Sequence, residues 1–200
     1  MPSPGLQRLE RTLRIDDEVR FIRSWLEKPL AIGAVTPSGR LLARTMARYV
    51  DPAIPGPVVE LGPGTGPVTE ALLDQGISED RLILLEFDPT FCQLLRQRFP
   101  RATVMQGDAY TLLRRLGPGV HAAAIVSGLP LFTKPLKVRI KLLRDALQVL
   151  RPAAPFVQFT YAVVPPIPKS IAAVKVEASE RIWMNFPPAR VWVYRRAAGH

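Results

Sequence analysis

The chain is predicted to be α/β, with one doubly wound, mostly parallel sheet. Three observations carry this. Residues 57–66 read PVVELGPGTG: a buried strand end, a run of alternating glycines, then Pro67, which suits the first position of a helix because no amide donor is needed there. Strand-length apolar segments then recur at 81–86, 102–106, 120–126 and 156–161, with helical segments between the first of them. Glu60, Glu86 and Asp108 each stand where one of the first three strands should end. Two hundred residues suffice for one domain with its own core. The expectation is a single Rossmann-like domain over 31–200, its seven-stranded sheet closed by an antiparallel last strand. Amphipathic helices over 1–30 are expected to precede it.

The elements follow in order. Residues 4–14 place Leu6, Leu9 and Leu13 on one narrow helical face, with Arg8, Arg11 and Arg14 across from it. A second helix follows Asp16 or Asp17, with Val19, Ile22, Trp25 and Leu26 as its apolar stripe and Arg20, Arg23 and Lys28 adding charge. A basic amphipathic segment with a tryptophan suits a water–lipid boundary; packing on the domain's own sheet is the competing reading for 17–28. Residues 38–50 form a helix that carries Arg40, Arg44 and Arg48 on one face, either solvated or turned toward phosphate. The helix after the glycine run, 68–76, presents Val68, Leu72 and Leu73, and Gly76 stops it. Asp88-Pro89 opens a helix over 89–99. Residues 134–150 form a basic helix, and 174–184 with 190–196 a closing hairpin, with Asn185 and Pro187-Pro188 at the turn.

Composition narrows the partners. Net charge is +10 and the pI about 10.5, which favours polyanions: nucleic acid or an anionic membrane surface. The start of the chain has no signal-peptide pattern. Residues 152–168 are uncharged but hold five prolines, so they do not read as a membrane span. The single cysteine, Cys92, excludes an internal disulfide, fits a reducing compartment and reads as a buried structural thiol.

The glycine run also narrows the ligand. A dinucleotide fingerprint wants a glycine where Pro67 stands, and a phosphate loop wants a lysine, yet none occurs between Lys28 and Lys134. What remains is E-x-G-x-G-x-G, which resembles the first motif of class I S-adenosylmethionine (SAM) methyltransferases. Glu60 suits a ligand bearing a sulfonium and an ammonium. Gly62, Gly64 and Gly66 let that ligand approach the backbone. Glu86 suits the ribose hydroxyls, Phe87 an adenine face, and Asp108 with Ala109 the adenine amino group. Each acid alone is explained by a helix N-cap; the three together in βαβ order are not. No metal is expected.

The chain resembles the bacterial phospholipid N-methyltransferase family over residues 17–196. The resemblance rests on DEVRF at 17–21, KPLAIGAVTPSG at 28–39, ELGPGTG at 60–66, GDA at 107–109 and SGLPLF at 127–132. IKLLRDAL at 140–147, QFTY at 158–161 and NFPPARVWVYRR at 185–196 complete it. It implies stepwise SAM-dependent methylation of phosphatidylethanolamine to phosphatidylcholine by a peripheral enzyme on the cytoplasmic face of the cell membrane. A monomer in solution is expected. The loop after the fourth strand lies beside the transferable methyl group in this topology, so Ser127 and Gly128 are candidate catalytic positions. Tyr161 is expected to orient the amine, with backbone carbonyls of 127–129, while water takes the proton; a packed strand-end tyrosine is the competing reading. The basic segment Leu6, Arg8, Leu9, Arg11, Leu13, Arg14, Arg20 and Trp25 is expected to hold the lipid surface. The rival is an RNA adenine N-methyltransferase, which the charge permits. Such enzymes typically carry Asn/Asp-Pro-Pro-Tyr or Asn-Leu-Pro-Tyr in this loop, where Ser-Gly-Leu-Pro-Leu stands here, so no nucleic-acid partner is expected.

Overall fold

The computed structural model describes residues 37–116, 119–171, 174–185 and 188–197. The predicted membrane-binding residues, Leu6 to Trp25, and the proposed boundary at residue 30 lie outside them.

Helix α1 (Pro37–Ala47) leads to β1 (Val58–Leu61), α2 (Pro67–Asp74), β2 (Leu82–Glu86), α3 (Pro89–Arg98), β3 (Thr103–Gln106) and α4 (Ala109–Arg115). Then come β4 (Ala124–Ser127), α5 (Leu136–Val149), β5 (Phe156–Thr160), β6 (Val174–Ala178) and β7 (Arg190–Arg196). The seven strands lie in the order β3-β2-β1-β4-β5-β7-β6. The first five are parallel, and β7 runs antiparallel between β5 and β6. This is the predicted Rossmann-like architecture, including the closing hairpin. The reversal of strand order beside β1 puts the carboxyl ends of β1 and β4 at the crevice where open α/β sheets bind ligands.

Each face of the sheet buries its own core. Val58, Leu82, Leu84, Val126, Val157 and Val193 meet Met46 of α1, Leu72 of α2 and Leu95 of α3. On the other face Val59, Leu61, Leu85, Ile125, Phe156 and Tyr194 meet Leu113 of α4 and Leu142 and Ala146 of α5. β1 is therefore sealed on both sides, and all four of its residues, Glu60 included, are buried.

Two strand ends differ from expectation by more than one residue, each for a local reason. β4 starts at Ala124, not 120, because Ala123 donates to the Pro57 carbonyl and Pro57 has no N–H to return. β6 stops at Ala178, not 184: the Ser179 hydroxyl accepts the Val191 N–H and interrupts the ladder, which resumes only as the Ile182–Ala189 bridge. On α2, Thr69, Ala71 and Leu72 are the buried residues, whereas Val68 and Leu73 are half-buried. Asp88 caps α3 as predicted, its carboxylate accepting from the Thr90 and Phe91 N–H groups. Arg81 donates to the carbonyls of Pro52, Ile54 and Gly56, pinning the segment that enters β1.

Candidate active site

The glycine run turns tightly between β1 and α2. Gly62, Gly64 and Gly66 all have positive φ, at 68°, 57° and 91°. Their roles separate when a side-chain carbon is imagined at each. At Gly66 it would stand 2.7 Å from Phe99 Cε2, so this glycine serves the packing of α2 against the end of α3. At Gly62 it would press on Leu129 at 3.0 Å, and at Gly64 it would meet nothing within 4 Å. Gly64 thus presents bare backbone to open space, the surface a ligand needs.

Two carboxyls support this turn. Glu86, at the end of β2, accepts from the Gly64 N–H through Oε2 at 3.0 Å. Its Oε1 accepts from the Phe87 and Asp88 N–H groups at 2.7 and 2.9 Å. Glu60 is buried beneath the turn, 2% exposed, and its Oε2 accepts the Thr69 hydroxyl at 2.7 Å. Burial pushes the Glu60 carboxyl up to about 8; the Thr69 bond opposes the rise and nearby Glu86 adds to it. Thr69 did not stand out in the sequence, where it reads as a helix residue on a mixed face.

The adenine-side residues gather at the same sheet edge. Phe87 follows Glu86 with its ring 73% exposed. Asp108 stands after β3 and caps α4, its Oδ1 accepting from the Tyr110 N–H at 3.0 Å; Ala109 is buried as the first residue of that helix. Asp108 thus makes the N-cap contact that was the competing reading. The open face of Gly64, a carboxylate at the end of β2, an uncovered ring beside it and a carboxylate after β3 form a donor and acceptor set that fits SAM.

Across the crevice lies the loop after β4. Ser127 is fully buried, and its Oγ accepts from the Leu129 N–H at 3.4 Å. Gly128 donates to the Leu61 carbonyl at 2.8 Å. A side-chain carbon on Gly128 would stand 2.7 Å from the Gly62 carbonyl oxygen, so the two loops touch backbone to backbone and no side chain fits between them. Gln158 of β5, in register with Ser127, holds the Leu129 carbonyl through Nε2 at 3.0 Å. A glutamine inside the apolar run FVQFT was the available signal for this residue. Tyr161 follows β5 with its ring edge-on to Phe159 at a centroid distance of 5.6 Å, half-buried against the α1 face. Cys92 is buried, its thiol near the Glu86 carbonyl at 3.5 Å and pushed up by burial.

Comparison with known proteins decides the family. The Ribosomal RNA adenine dimethylase family description matches residues 50–113, less than half of the chain. An ornithine lipid N-methyltransferase of Singulisphaera acidiphila is 37% identical over 145 residues, covering 70% of this chain and 76% of that protein. The chain belongs to the family of this lipid N-methyltransferase. It is a SAM-dependent methyltransferase. A ribosomal RNA small subunit methyltransferase A of Synechococcus sp. is 37% identical over 92 residues, 44% of this methyltransferase, which spans only 30% of that relative. The CcbJ methyltransferase of Streptomyces caelestis shares the fold, with a TM-score of 0.62 at 17% identity over 82% of this chain and 91% of that one. Bound SAM supplies an electrophilic methyl group on a sulfonium. The methyltransferase's own residues have the task of shaping the crevice and presenting an acceptor.

Proposed function

We propose that this methyltransferase acts on the amine of a membrane-lipid headgroup, methylating phosphatidylethanolamine stepwise through mono- and dimethyl forms to phosphatidylcholine at an anionic, cytoplasmic membrane surface. Glu60, Gly62, Gly64, Gly66, Glu86, Phe87, Asp108 and Ala109 are proposed to line the SAM site, and the 127–129 loop to face the acceptor. The observation that carries the reading is the loop contact at Gly128. Base-methylating loops bring a side-chain amide or acid to the reacting amino group. Here the glycine turn fills the space such a side chain would need, with 2.7 Å to the Gly62 oxygen. An amine on a flexible headgroup needs no extruded-base pocket, only a neutral nitrogen held in line with the methyl group.

The lipid relative supports the reading, since it aligns with three quarters of its own length. The ribosomal RNA family match supports RNA adenine methylation as the second reading. It covers β1 to α4, the half that would hold SAM, and ends before the acceptor loop. Among the described residues no helix is long and apolar enough to cross a membrane, so lipid access through a basic surface is the corresponding proposal. Arg40 and Arg44 are exposed on α1, and Arg48 is exposed just past its end. Arg40 and Arg44, with Arg98, line a groove of about 680 Å³ between α1 and α2 that also holds Glu70 and Asp74.

The test is methyl transfer from labelled SAM to phosphatidylethanolamine/phosphatidylglycerol vesicles, ornithine lipid vesicles and total RNA in parallel. Label in methylated phosphatidylethanolamine is the expected result. Label in ornithine lipid alone would keep the chemistry and change the headgroup; label in RNA alone would overturn the reading.

A further inference from the structure

Gln158 has a feature that packing does not explain. Its side chain is completely buried, in a strand whose neighbours Phe156 and Val157 are core residues. Its Nε2 is fully used, donating to the Leu129 carbonyl at 3.0 Å and the Phe159 carbonyl at 2.7 Å. Those two carbonyls fix the orientation of the amide, because turning it over would set oxygen against oxygen twice. The Oε1 that results is buried and has no hydrogen-bond partner. An unpaired buried acceptor is destabilising, so its retention calls for a donor that arrives from outside.

The place of this acceptor is informative. Gln158 lies beside Ser127 in the parallel β4–β5 register, and it grips the carbonyl of Leu129, next to Gly128. It therefore stands one strand behind the loop in which base-methylating enzymes carry their own amide and in which Gly128 leaves no room for one. We propose that Gln158 Oε1 accepts an N–H of the acceptor amine and so aims the nitrogen lone pair at the methyl group. The proposal rests on the lipid-amine reading above.

The chemistry of a neutral acceptor fits the task. A carboxylate at this position would stabilise the ammonium and keep the lone pair protonated. An amide oxygen binds the neutral amine without that penalty. In the step itself the lone pair forms the N–C bond while the C–S bond breaks and its electrons pass to sulfur. After the first and second transfers the new ammonium gives a proton to water; the third leaves a quaternary ammonium with none to give. The attacking form of a primary amine has two N–H bonds, that of a secondary amine one, and that of a tertiary amine none. Gln158 therefore assists the first and second transfers and has nothing to hold in the third.

This asymmetry makes the test. Gln158→Met removes the acceptor at nearly constant volume. Transfer is measured to phosphatidylethanolamine and to its mono- and dimethyl derivatives, each in phosphatidylglycerol vesicles, with S-adenosylhomocysteine binding as the check on the folded site. Transfer to the first two lipids should fall about tenfold, the worth of one hydrogen bond. Transfer to the dimethyl lipid should be nearly unchanged. The ratios are taken within one preparation, so any unfolded fraction drops out. Gln158→Leu, read the same way, guards against a defect peculiar to methionine.

An equal fall with all three lipids would overturn the proposal. It would mean that Gln158 only shapes the loop, or that its oxygen holds a water shared with Trp192, the adjacent β7 residue whose Nε1–H is also buried without a partner. Unchanged transfer to all three would overturn it as well. A wild-type enzyme that labels RNA and no lipid would instead remove the lipid reading, and this inference with it.

Discussion

Replacing Glu60 by glutamine should make the protein more stable at neutral and alkaline pH, and nearly flat where the wild type slopes. The Glu60 carboxyl is buried beneath the glycine turn with one hydrogen-bond donor, Thr69, and a second carboxyl, Glu86, nearby. Its pKa rises from 4.5 to about 8 on folding, mainly through burial. Between those values the folded chain binds a proton that the unfolded chain has released. Stability therefore falls as pH rises through this window, and the whole loss is present above the folded value. The gap corresponds to about 5 kcal/mol at 1.36 kcal/mol for each tenfold in proton affinity, of which about 4 kcal/mol is lost between about pH 5 and pH 9. For a chain of this size that amounts to roughly 10 °C in melting temperature. Glutamine keeps an oxygen for the Thr69 hydroxyl and never ionises. The assay is thermal and urea unfolding of both proteins from pH 5 to 9, without ligand. The curves should converge near pH 5 and separate steadily toward pH 9. Parallel curves would show that Glu60 is ionised throughout and that its burial has been misread.

Two glycines of the turn should respond oppositely. Gly66→Ala, which meets Phe99 at 2.7 Å with φ at 91°, should lower stability by about 2–4 kcal/mol in urea unfolding. Gly64→Ala, facing open space, should lower it by only about 1 kcal/mol but weaken S-adenosylhomocysteine binding about tenfold or more by calorimetry. Gly128→Asn should disturb the contact with Gly62 and reduce that binding, also about tenfold, without creating RNA methylation; undiminished binding would refute the reading of the loop. Replacing Arg40, Arg44 and Arg48 together by alanine should weaken sedimentation with phosphatidylglycerol vesicles by up to about 100-fold at low salt, from about 1 kcal/mol per charge, and the difference should vanish as salt rises.

Most of the scaffold was legible because it is written in periodicity and in glycine. The strands β1, β2, β4 and β5 are mostly apolar, and the acids at or near the ends of the first three strands stand out against such runs. Element ends were less legible, since they depend on partners far along the chain. No local pattern reveals that Pro57 withholds a donor from β4, or that Ser179 interrupts the hairpin. The site divides in the same way. Gly62 and Gly64 lie in the glycine motif, and Glu86 and Phe87 were singled out at the end of the next expected strand. Thr69 and Gln158 were not, because their roles rest on where α2 lies over β1 and on the β4–β5 register. Three equivalent-looking glycines also conceal three duties: one faces open space, one presses on Leu129 and one packs on Phe99.

The charge of the chain and its substrate are separate questions. A net charge of +10 attracts any polyanion, and a phosphate stripe on a membrane resembles one on RNA at the distance of a Debye length. Charge therefore favours either polyanion and does not choose between the two. The half of the fold that would hold SAM does not choose either, since its sequence matches the ribosomal RNA family while the longer alignment reaches a lipid enzyme. Discrimination falls to the few residues within reach of the acceptor nitrogen. The backbone contact between Gly62 and Gly128 excludes a side chain from the loop, and the orphaned acceptor we assign to the amine lies one strand away, on Gln158. An acceptor fixed in a strand is more rigid than one on a loop. It can align an amine that carries N–H bonds but gives no ring a surface to stack on. The order of the three transfers, rather than the affinity for lipid, is where that difference will be read.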